Sequence, residues 1–142
     1  MRRLLELFAV TVLLSVLTLF ILQAIERTRD EVERVSVQGD VAALRAQLME
    51  RMAHHAAFGG ALPASDNPVD WVRQPPASYA GENKQCPAAR STWYFNPAPG
   101  SLNYCLRNGG EVRYRLTRIG SSSDARGIIG GVGLVRMDDN RG

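Results

Sequence analysis

Lysine is nearly missing from this chain. Lys84 is the only one in 142 residues, and arginine carries the rest of the basic charge in a formal balance of +3. A surplus this small excludes a nucleic-acid footprint built on net charge, and no nucleic-acid partner is expected. Cysteine is almost as scarce. Cys86 and Cys105 are the only two, and a structural zinc site takes about four ligands at characteristic spacings. The neighbouring His54 and His55 do not complete such a set, because adjacent residues on a helix point about 100° apart. They read as a solvated helix end. Two cysteines do suit a single disulfide in an oxidising compartment, with a pair of reduced thiols as the alternative. Also missing are a phosphate-binding glycine loop ahead of a helix, a nucleophile elbow and a motif-placed carboxylate pair. The chain is therefore expected to be no enzyme and to use no cofactor or metal.

Proline is absent until Pro63, so nothing in the first 62 residues forces a helix to break. Within that stretch, residues 4–25 read LLELFAVTVLLSVLTLFILQAI, with Glu6 as the only ionisable side chain. At a helical rise of ~1.5 Å per residue this run reaches about 33 Å, enough for a hydrocarbon core of about 30 Å. It reads as one membrane-spanning helix, with lipid as its first partner. Arg2, Arg3 and the terminal amine precede it and Arg27, Arg29 and Arg34 follow closely, so the positive-inside count discriminates poorly. The short amino end and the two cysteines favour a cytoplasmic N-terminus with the rest of the chain exported. A cleaved export signal is disfavoured, because the apolar run exceeds the usual h-region of about 7 to 15 residues and Leu22-Gln23-Ala24 is a poor cleavage site. Glu6 is the first functional candidate, since a carboxylate at the bilayer edge requires a proton, a cation or the headgroups.

Beyond Ile25 the pattern becomes charged without a breaker. Arg27 with Glu31, Arg29 with Glu33 and Asp30 with Arg34 are opposite charges four apart, each supporting a helix by ~0.2–0.5 kcal/mol. Val41, Leu44, Leu48 and Met52 then recur at steps of three, four and four, a narrow apolar stripe. That stripe packs on the protein's own C-terminal part or on a second chain, and the lack of sustained heptads favours the former. Gly39 is a possible bend and Gly59-Gly60 the expected stop.

The expected organisation is a tail and span over residues 1–25, an amphipathic helix over 26–58, a Pro-rich loop over 59–90 anchored by Trp71 and Tyr79, a small antiparallel sheet over 91–136 and a frayed tail over 137–142. Thr92-Trp93-Tyr94-Phe95 makes a first strand ended by the turn cluster Asn96-Pro97-Ala98-Pro99-Gly100. Leu102, Tyr104 and Leu106 share one face of a second, and Val112, Tyr114 and Leu116 alternate with Arg113, Arg115 and Thr117 in a third. Asn108-Gly109 is the turn between these two. Arg107, Arg113, Arg115 and Arg118 beside Tyr94 and Tyr104 match a stacking and phosphate-binding surface in type, but alternation already calls for polar residues on a wet face. Residues 120–127 read as a polar loop, and the glycine-interrupted residues 128–135 as a last strand or a flexible terminus.

A basic start, Leu4-Leu5-Glu6-Leu7 opening an apolar helix, an amphipathic continuation, a loop and a small sheet together resemble type IV pilins and the pseudopilins of type II secretion. Counted from Arg2, Glu6 is the fifth residue, where those proteins carry a glutamate. The resemblance implies an α+β fold, a long N-terminal helix packed on a small antiparallel sheet. It implies a role in assembly with other pilin-like or secretion-system subunits, in which Glu6 pairs with the terminal amine of a neighbouring subunit in an oligomeric assembly. It also implies a bacterial inner-membrane location with the C-terminal domain in the periplasm. The two arginines at the start of the helix and the absence of a glycine before it lead to the expectation of an unprocessed accessory protein. The hairpin from Trp93 to Leu106 looks like those in membrane-anchored proteins of mannose-sensitive haemagglutinin (MSHA) pilus biogenesis.

Overall fold

The computed structural model describes residues 1–118, 128–129 and 131–137. Its fold is α+β. A helix α1 (Arg2–Phe58) precedes a 3₁₀ turn (Pro68–Trp71) and six strands: β1 (Tyr79–Glu82), β2 (Thr92–Asn96), β3 (Ser101–Cys105), β4 (Glu111–Arg118), β5 (Ile128–Ile129) and β6 (Val132–Met137). The chain divides into two compact units, Met1–Val35 and Ser36–Gly142.

The first unit is helix alone. It carries one segment long and apolar enough to cross a membrane, none of it buried by the protein. The hydroxyls of Thr11, Ser15 and Thr18 donate to the carbonyls of Leu7, Thr11 and Leu14, each at 2.8 Å. Every hydroxyl in the apolar run is thus satisfied within the helix, as a solvent without hydrogen-bonding capacity requires.

In the second unit the remainder of α1 lies on the sheet. Val37, Val41, Leu44 and Leu48 are buried with Trp93, Phe95, Leu102, Tyr104, Tyr114, Leu116, Val132 and Leu134, and Met52 packs half-buried against that core. The helix passes through Gly39 uninterrupted and ends at Phe58. Gly59 follows at φ 71°, and its N–H donates to the carbonyl of His55 at 2.8 Å. This left-handed residue caps the helix at the point where a side chain would be strained.

Strand order is β1-β2-β3-β4-β6-β5. The meander β2-β3-β4 is antiparallel, as the alternation and turns predict, with Trp93 opposite Tyr104 and Tyr104 opposite Val112. Two expectations are corrected. Residues 59–90 are not all loop, because Tyr79–Glu82 forms β1. The sheet is mixed rather than antiparallel, because β1 runs parallel to β2, Tyr79 pairing with Trp93 and Glu82 with Phe95. Gly81 sits between those pairs at φ 89° where the register shifts, a conformation glycine supplies without strain.

The last strand is present: β6 pairs along β4 from Arg113–Met137 to Arg118–Val132. Met137 therefore belongs to the sheet and not to a frayed tail. Residues 138–142, and the polar loop expected over 120–127, lie outside the described residues.

Candidate functional site

Glu6 sits on the exposed first unit, two-thirds accessible, with Oε1 3.7 Å from Nε of Arg2 four residues earlier. An exposed i,i+4 pair of this kind is worth only a few tenths of a kcal/mol. Its carboxylate can therefore be surrendered to another cation at little cost.

The stripe residues Val41, Leu44 and Leu48 are spent on the protein's own sheet, and Met52 lies at its edge. Three polar residues beside the stripe, which periodicity does not reveal, lock the helix in place. The Asp40 carboxylate Oδ2 accepts from Nε1 of Trp93 at 2.8 Å. Arg45 donates through Nε and Nη2 to the carbonyl of Leu134 at 3.2 and 2.9 Å. Gln47 accepts from the N–H groups of Arg73 and Gln74 and donates to the carbonyl of Gln74, all within 3.2 Å. The signal was available: each is a polar residue one or two positions from a stripe residue.

The anchors in the long connection are Trp71 and Tyr79. Trp71 is buried and donates Nε1–H to the carbonyl of Ser65 at 2.8 Å. Asn67 caps the 3₁₀ turn through Oδ1 and donates Nδ2–H to the Tyr79 hydroxyl at 3.1 Å. Burial pushes the Tyr79 phenol up from its ordinary value, with the Asn67 hydrogen bond opposing. Arg118 stacks over Trp71 at 5.4 Å, lies 3.5 Å from Asp66 and donates to the carbonyl of Ser65 at 3.2 Å. Arg115 donates to the carbonyl of Pro99 at 3.0 Å. These arginines tie loops to the sheet.

His54 and His55 do not both face solvent. His54 is exposed with its ring 4.9 Å from that of Phe58, whereas His55 is half-buried and its Nδ1 has no hydrogen-bond partner. The expected solvated helix end is corrected for His55, which borders a cleft of ≈ 260 Å³ with Arg51, Arg73 and Trp71. No group of three or more His, Cys, Asp or Glu side chains among the described residues is placed to hold a metal.

Cys86 and Cys105 form a disulfide. It joins the connection before β2 to the end of β3. All five residues of β3 are buried, so Ser101, Asn103 and Cys105 are covered on the face away from the helix. On that face Tyr94, Asn103 and Arg113 stand side by side, in register across β2, β3 and β4. They line a cleft of ≈ 290 Å³ with Lys84, Cys86 and Glu111. The Tyr94 hydroxyl donates to the Glu111 carboxylate, which also accepts from Arg113 Nη2 at 3.0 Å. Burial, then the bond to Glu111, pushes the Tyr94 phenol up. The cleft escapes sequence reading because three strands and one loop contribute to it.

Compared with protein-family models, with curated proteins and with solved structures, the chain matches none.

Proposed function

We propose that this protein is a non-enzymatic, pilin-like or pseudopilin-like subunit. It would assemble in a type IV pilus or type II secretion system, anchored once in a bacterial inner membrane with its sheet domain in the periplasm. One observation carries the reading: α1 is apolar and wholly exposed over its first part, with a single carboxylate near its start, and contributes Val37 to Leu48 to the core of a small sheet domain over its second. The disulfide supports an oxidising location for that domain. In this reading lipid and neighbouring subunits share the exposed face, and Glu6 exchanges Arg2 for a cation of the next subunit.

The test is Glu6→Ala beside Glu6→Gln, scored for fibre assembly or secretion at matched protein levels in the membrane fraction. Loss in both variants is expected. Unchanged assembly sinks the proposal. A second reading, a bitopic scaffold subunit of an envelope complex, is favoured by Val32 and Val35, which lie in the charged part of the first unit at 62% and 68% exposure. Crosslinkers placed at these two positions separate the readings: capture of one defined non-pilin partner supports the scaffold, and capture of further copies or pilin-like subunits supports assembly.

A further inference from the structure

Arginine in the second unit is almost always spent on the protein itself. Among the described residues from Ser36 onward, Arg45 and Arg115 donate to main-chain carbonyls, Arg90 to the Cys86 sulfur, and Arg113 and Arg118 pair with carboxylates. Arg107 and Arg136 interact as well. Of these described arginines, only Arg51 and Arg73 have guanidinium groups that make no hydrogen bond or ion pair, and both line the ≈ 260 Å³ cleft beside the end of α1. One clasp holds their backbones together. Gln47 stands one helical turn before Arg51, and its side chain accepts from the main-chain N–H of Arg73 at 3.2 Å while donating to the carbonyl of Gln74 at 3.1 Å. Glu50 also lines the cleft, but among the described residues it pairs with neither arginine. Two like charges set on one cleft repel each other, a cost that a bound anion removes.

We propose that this cleft binds a phosphate dianion, as the free ion or as the end of a small monoester. The assembly role neither uses nor requires such a site. Arginine offers five N–H donors and no acceptor, so the pair selects a ligand that accepts and is negatively charged. Metal cations are repelled, and a neutral sugar leaves both charges unmet. Among anions, the number of arginines decides. A carboxylate has two oxygens and one charge, which a single bidentate guanidinium already satisfies. A phosphate monoester carries a charge of about −1.5 to −2 and three acceptor oxygens, enough for both. The cleft is smaller than the ~300–1,000 Å³ of sites for drug-sized ligands, so it suits a phosphate with at most a small remainder. Leu62 and Trp71 give that remainder an apolar wall. Glu50 and the carbonyl end of α1 act against an anion, which holds the affinity to the millimolar range.

The experiment uses the full oxidised chain in a maltoside detergent, which carries no phosphate. At about pH 8 phosphate monoesters are dianions. Inorganic phosphate, phenyl phosphate, dimethyl phosphate and acetate are titrated separately, with sodium chloride holding the ionic strength constant, while the guanidinium Cζ resonances of Arg51 and Arg73 are followed by carbon-detected NMR. Saturable shifts at both arginines are expected with inorganic phosphate or phenyl phosphate, at a Kd on the order of millimolar. Tighter binding of the first assigns the site to the free ion, and of the second to a monoester. Arg51→Gln and Arg73→Gln, both at exposed positions outside the core, should each weaken binding by roughly tenfold, the effect of one hydrogen bond to a charged group, read at the remaining arginine. Three results overturn the proposal. One is no saturable shift from either dianion at roughly 100 mM. Another is acetate or dimethyl phosphate, the singly charged diester that stands for a lipid headgroup, binding as tightly as the dianions. The third is a phosphate affinity that neither arginine variant lowers, or that Lys84→Gln, outside this cleft, lowers as much.

Discussion

Leu13 and Leu44 lie on the same helix, yet the first is 70% exposed and the second 1%. The unit of residues 1–35 covers none of its apolar side chains, whereas the unit from Ser36 onward buries Val37, Val41, Leu44 and Leu48 under its own sheet. The same residue types therefore follow two patterns, the first of them long and apolar enough to cross a membrane. In the first unit Thr11, Ser15 and Thr18 turn their hydroxyls back on the helix, an arrangement compatible with a membrane, where unmet polar atoms are costly. In the second, water lies outside and apolar surface is costly, so a stripe suffices and polar residues such as Asp40, Arg45 and Gln47 flank it.

Substitutions that act on one unit and spare the other sharpen this contrast. The largest effect is expected from Leu13→Arg combined with Leu17→Arg. An arginine at the centre of a span costs ~2.5–3.5 kcal/mol on insertion scales, so the pair costs roughly 5–7 kcal/mol. Alkaline extraction of membranes should release the variant, while the thermal melt of the sheet domain stays where it was. A melt that shifts with the insertion defect would break the comparison.

Leu48→Ala is the converse. Removing this fully buried side chain should destabilise the domain by ~2–5 kcal/mol, read as a lower denaturant midpoint by the fluorescence of Trp71 and Trp93, with membrane retention unaltered. The smallest effect concerns Tyr94. Its folded pKa is raised above 10.0, chiefly by burial and then by the bond to Glu111. The unfolded chain therefore loses that proton first as pH rises, and stability present below pH 10 declines from there through the folded value. Tyr94→Phe should flatten the alkaline limb of the stability profile and lower the neutral region through loss of the hydrogen bond to Glu111; an equally steep limb in the variant would assign the decline to other groups.

Much of this architecture was legible in the residues. The switch from apolar to charged at Ile25, the stripe from Val41 to Met52, the Gly59 stop, the Trp93 to Leu116 meander and the Cys86–Cys105 pair all follow from local pattern. Strand β1 did not, because Pro75-Pro76 before it and Gly81 within it read as loop, and its parallel partner β2 lies across an intervening loop. Local alternation sees hairpins, not crossovers. Periodicity groups Leu102 with Tyr104 on β3 but does not reveal that Asn103 and Cys105 on the other face are buried too, where the connection tethered at Cys86 contributes a cover. Glu6 was legible as a candidate from its isolation in an apolar run. The outer cleft was not, since its residues span Lys84 to Arg113 and converge only through strand register.

The bond from Arg45 to the carbonyl of Leu134 joins residues 89 apart and puts a clock on the domain. The strand that its core helix must clasp is made 89 residues after Arg45. At a synthesis rate of roughly 5–20 residues per second, the helix waits about 5–20 seconds for that strand. Over that interval Leu44 and Leu48 lack the part of their cover that β6 supplies, so the domain completes its core only after Leu134 arrives.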